Sequence, residues 1–77
     1  MTNLTISNHL FNSLKMKYES DIQSAITTLH IYFKNCVGIG EHPQHLEEMD
    51  KLLEKISSAE DKLQSLNTHF SKDYNVE

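Results

Sequence analysis

The chain has no arginine and no tryptophan, and among its 77 residues it has one cysteine, one proline and two glycines. Each scarcity excludes something. A single thiol, Cys36, cannot close an internal disulfide, and without further cysteines there is no Cys-rich structural zinc site. A lone thiol also fits a reducing, intracellular setting. Without arginine there is no bidentate fork of the kind that phosphate-binding surfaces favour. No apolar run approaches the roughly 20 residues that span a bilayer, so no membrane partner is expected. Met1-Thr2-Asn3-Leu4-Thr5 lacks the basic-then-apolar order of a secretory signal, and the expected location is the cytoplasm. Seven lysines stand against eleven acidic residues, a net charge of −4. That balance weakens nonspecific attraction to nucleic acid, although lysines can still cluster in space. With 38% hydrophobic residues the chain makes one domain at most. Its core is small and needs oligomerisation or docking for further burial.

What is present is a punctuated middle. Both glycines and the proline fall within Gly38-Ile39-Gly40-Glu41-His42-Pro43, and the long stretches on either side contain neither residue type. The first arm spans about 7–36. Leu10, Phe11, Leu14, Tyr18, Ile22, Ala25, Ile26, Leu29, Tyr32, Phe33 and Cys36 recur at steps of three and four, which places them on one face of a helix. Asn35, Gly38 and Gly40 end it, since glycine takes positive φ at a helix C-terminus without steric cost. A connection follows over 37–42. Pro43 suits the first turn of a second arm, about 43–70, with Glu47 and Glu48 at the end of the helix dipole that favours negative charge. Leu46, Met49, Leu52, Leu53, Ile56, Ala59, Leu63, Leu66 and Phe70 form its stripe. Met49, Leu53, Ile56, Leu63 and Phe70 approximate a heptad seam that Glu60 and Asn67 interrupt. Residues 71–77 are expected to fray. Ser20–Gln23 and Ser57–Glu60 each have the form of a capping box, so either arm could break into two helices. The fold class is therefore all-α. It is an antiparallel helical hairpin that completes a four-helix bundle either by dimerisation or by breaks in the arms.

Candidate chemistry is thin. Gly38 and Gly40 lack the third glycine and preceding strand of a dinucleotide loop and the Gly-Lys-Ser/Thr of a P-loop, so they mark a turn. His42 and His45 with Glu41 and Glu48 fall short of the three or four supported ligands of a metal site, and no metal or other cofactor is expected. Cys36 ends an apolar stripe with no nameable oxyanion donor, which suits a packed thiol better than a nucleophile. No catalytic residue is expected. Lys15, Lys17 and Lys34 are the candidates for nucleic-acid contact along the first arm, against the plainer reading of a solvated face. Phe11, Leu14, Tyr18, Ile22, Ile26, Leu29, Phe33, Met49, Leu53, Ile56, Leu63 and Phe70 are the candidates for apolar packing or an interface.

The string Val37-Gly38-Ile39-Gly40-Glu41-His42-Pro43 is followed by Leu46-Glu47-Glu48-Met49-Asp50-Lys51-Leu52 and Ala59-Glu60-Asp61-Lys62-Leu63. It resembles a family of short phage proteins encoded beside the recombination helicase UvsW in T-even-like phages. The resemblance covers about residues 30–70. It implies a compact helical bundle with a role near phage recombination and replication-fork repair, in the cytoplasm of an infected cell. It implies no ATPase activity, because neither a P-loop nor the length of a motor domain is present. Two functions are thus expected. One is a non-enzymatic interaction module that pairs with itself as a homodimer or with a phage recombination or replication protein. The other is a small accessory for branched or single-stranded DNA.

Overall fold

The computed structural model describes residues 5–35 and 44–74. They form two helices, α1 (Ile6–Lys34) and α2 (Gln44–Tyr74), with no strand among the described residues. The connection containing Gly38, Gly40, Glu41, His42 and Pro43, together with Cys36, lies outside the described residues.

Local chemistry sets the helix ends. Thr5 is the N-cap of α1, two residues before the expected start. Its extended backbone lets its hydroxyl accept from the Asn8 N–H at 3.2 Å while its carbonyl accepts from His9 N–H at 3.0 Å. At the other end Asn35 caps α1 with φ −104°, and its N–H donates to the Ile31 carbonyl at 3.0 Å. Lys34 lies in the last turn of α1, Glu47 in the first turn of α2 and Lys72 in its last, each with the sign the helix dipole favours.

Neither capping box breaks its arm. Gln23 does not turn back to Ser20; its amide donates forward to the Thr27 hydroxyl at 3.2 Å. Ser24 and Thr28 return their hydroxyls to the carbonyls of Asp21 and Ser24, at 3.2 and 2.9 Å, which keeps them compatible with a continuous helix. α2 also runs on to Tyr74, through residues expected to fray, because the Tyr74 ring meets that of Phe11 at 6.4 Å between centroids.

The helices are antiparallel. Phe11, early in α1, meets Tyr74 at the end of α2, while Tyr32, late in α1, meets His45 at the start of α2 at 5.8 Å. Between them Ala25, Leu29 and Ile56 make the core, with Ile22, Ile26, Met49 and Leu52 packed on it. The seam of α2 therefore runs through Leu52 and Ala59, and Leu53 is 57% exposed. Glu60 and Asn67, expected to interrupt the seam, lie on the exposed surface. The physical reason is that the α2 stripe is two residues wide at 52–53, and contact with α1 selects one flank of it.

The molecule is slender. Its radius of gyration is 16.9 Å, whereas a compact 77-residue domain would have about 11.5 Å. Its thinnest dimension is 14 Å. The chain is thus a single layer of two rods, not the compact bundle that the resemblance implies.

Candidate interaction surface

A two-rod layer buries little. Phe11, Ala25, Leu29, Ile56 and Ala59 are the buried apolar residues among those described. Ala25 and Ala59 owe their burial to size, since a methyl side chain lets the backbones approach closely. Of the expected packing residues, Phe11, Leu29 and Ile56 are buried, and Tyr18, Ile22, Ile26, Met49 and Leu63 are partly so. Leu14, Phe33, Leu53 and Phe70 remain 42–63% exposed. Ile6, Leu10, Met16, Ile31 and Leu46 join them at the surface.

Leu10, Leu14, Phe33 and Phe70 line open grooves between the helices. One, toward the free ends of the rods, is formed by Leu10, Phe11 and Leu14 of α1 with Leu66, Phe70 and Tyr74 of α2. It continues past Tyr18, Lys62 and His69, sharing Leu66 and Phe70. A second, nearer the connection, is lined by Ile26, Leu29, His30, Phe33 and Ile56. Leu46 and Leu53, two turns apart, add a further apolar pair on α2. Sequence spacing supplied the members of these stripes. It missed Tyr74, which lies beyond the expected end of α2 and whose signal was the aromatic at the next step of the stripe after Phe70.

Charge is arranged around the first groove. Lys17 donates to Asp21 Oδ2 at 3.0 Å. That hydrogen bond is the main reason the Asp21 carboxyl is held below its ordinary 3.8. Partial desolvation opposes it, and the charges of Lys17, Lys55 and Lys62 add to the lowering. Lys62 also lies 5.9 Å above the Tyr18 ring. The cations that gather are therefore Lys17, Lys55 and Lys62. The expected trio does not: Lys15 is half-buried, and Lys34 stands about 25 Å along the helix from Lys17.

His45, half-buried against Tyr32, is the part of the His42–His45 pair that can be described. Among the described residues no three His, Cys, Asp or Glu side chains come together as a metal cluster. No helix among them is long and apolar enough to cross a membrane. Comparison with protein-family models, curated proteins and solved structures finds no match.

Proposed function

We propose that this protein is a non-enzymatic helical interaction module, an accessory of phage recombination and replication-fork repair acting in the infected cell's cytoplasm. The observation that carries the reading is the set of large apolar side chains left on a hairpin one layer thick, from Leu10 and Leu14 to Leu46, Leu53 and Phe70. A hairpin shields one side of each broad stripe, so its natural completion is a four-helix bundle with a second hairpin, its own or a partner's. The open grooves suit a packed helix better than a small substrate, which needs walls on several sides. The phage setting rests on the resemblance of residues 30–70.

The test is titration of the full chain against a phage recombination helicase of the kind the resemblance names. A saturable complex that Leu46→Lys and Leu53→Lys weaken supports the reading. Both residues are more than half exposed, so the substitutions leave the hairpin core alone. Absence of a complex with any phage recombination or replication protein removes it.

A second reading, an accessory for branched or single-stranded DNA, is favoured by one observation, the gathering of Lys17, Lys55 and Lys62 around Asp21. It requires affinity that falls steeply with salt and that Lys55→Ala and Lys62→Ala reduce. A flat response in low-salt gel shifts on forked and single-stranded DNA eliminates it.

A further inference from the structure

We infer that the groove at the free ends of the rods is occupied by a second copy of this chain, across a two-fold axis perpendicular to the helices. The inference rests on the interaction reading above and names the partner of one face.

Area argues for an occupant of standard interface size. A compact protein of 8.9 kDa exposes about 4,800 Å². This hairpin exposes 5996 Å². The excess over the whole chain, about 1,200 Å², is of the order of the roughly 800 Å² that each partner buries in a stable complex, so one face of this size can be covered without opening the hairpin. A chain without disulfide or metal staples needs that burial whenever it folds, and a second copy is the partner present wherever the chain is made.

The groove is also self-complementary. An isologous contact sets one patch against itself. Place the axis midway between Leu66 and Phe70, which is also about the level midway between Leu10 and Leu14, because the rods are antiparallel, all four side chains line one groove, and six residues further along each rod Lys62 lies over Tyr18. Each α2 then crosses its copy antiparallel, with Leu66 against the partner copy's Phe70, and each α1 sets Leu10 against the partner copy's Leu14. Six residues from the axis, Lys62 of one copy reaches the level of Asp73 and Tyr74 of the other. That pairs an exposed ammonium with an exposed carboxylate and with the negative end of α2. An axis parallel to the rods would instead stack Lys17 and Lys62 of both copies over one another. That arrangement sets like charge over like charge, where the perpendicular axis sets Lys62 against Asp73.

The test uses the full chain. Sedimentation equilibrium is expected to give twice the 8.9 kDa chain mass. Leu10→Lys and Phe70→Lys should each raise the dimer dissociation constant by about tenfold or more, while Leu53→Lys leaves it unchanged. Should either variant lose its helical spectrum, a second measurement decides. In a Cys36→Ser background, Leu14→Cys should join to Leu14→Cys of another copy through a short bismaleimide cross-linker, and Leu53→Cys should not. A wild-type chain that stays monomeric, or a dimer indifferent to Leu10 and Phe70, overturns the inference. Helicase binding is a separate readout: a monomer that binds the helicase sinks self-pairing alone, and a dimer that binds no phage protein sinks the accessory role alone.

Discussion

Thr5 shows how far a single side chain decides a boundary. Its hydroxyl satisfies the Asn8 N–H, one of the donors a helix start leaves without an internal partner. Thr5→Ala should lower stability by about 1 kcal/mol, read as a fall in the thermal midpoint. Asp21 makes a different point. Because its folded pKa lies below 3.8, the ion pair contributes stability above that pH and loses it as pH falls through the folded value. The pair is exposed to solvent, so the effect on stability is small and the clean readout is the titration itself. Carbon-detected NMR should place the Asp21 midpoint below 3.8, and Lys17→Met should return most of the shift, since Lys17 supplies its largest cause. Both features were partly open to sequence reasoning. A threonine three residues before a polar residue is a weak cap signal, and a Lys–Asp spacing of four is a common helical pair, but neither spacing says that the contact forms.

At the scale of the helix, packing overrides local signals. The Ser20–Gln23 and Ser57–Glu60 boxes are genuine N-cap patterns, yet both helices continue, because a break would interrupt the apolar seam on either side of it. Ser20→Ala should therefore leave stability within about 0.5 kcal/mol of wild type. Seam residues behave differently. Ile56, 9% exposed against Ala25 and Leu29, should cost about 2–5 kcal/mol as Ile56→Ala, enough to unfold much of a hairpin this small. Ala25, 1% exposed, sits where the rods approach, so Ala25→Leu should destabilise by about 1–3 kcal/mol through overpacking. Glu60→Ala and Asn67→Ala, by contrast, should change neither stability nor mass, as both residues lie exposed beside the seam. Chemical denaturation of these variants separates a seam through Leu52, Ala59 and Leu66 from one through Leu53, Glu60 and Asn67.

The whole molecule is governed by its thinness. A radius of gyration of 16.9 Å and five buried apolar residues among those described mark a chain whose surface outweighs its core. Stability linked to self-association makes the thermal midpoint rise with protein concentration. A midpoint independent of concentration over two decades would mark a hairpin that stands by itself. The grooves on either side of the core also divide the molecule's tasks. The one near Leu10 and Phe70 carries Lys62 at its rim, and the one near Phe33 lies toward the other end of the rods. Self-pairing on the first leaves the second, with Leu46 and Leu53, accessible to another protein.

Sequence alone determined that both arms are helices. Apolar spacing of three and four, and the absence of Gly and Pro within the arms, are local properties that hold before any partner helix arrives. Tertiary structure decided which residues of those broad stripes are inside. Leu52 and Leu53 are equivalent by spacing, and so are Ala59 and Glu60 by position on the turn, until the approach of α1 picks one flank. It also carried α2 to Tyr74, closed the rods on alanines at 25 and 59, and left Leu10, Leu14 and Phe70 outside. A two-helix contact is narrower than either stripe, so what remains uncovered is a consequence of geometry that spacing cannot express.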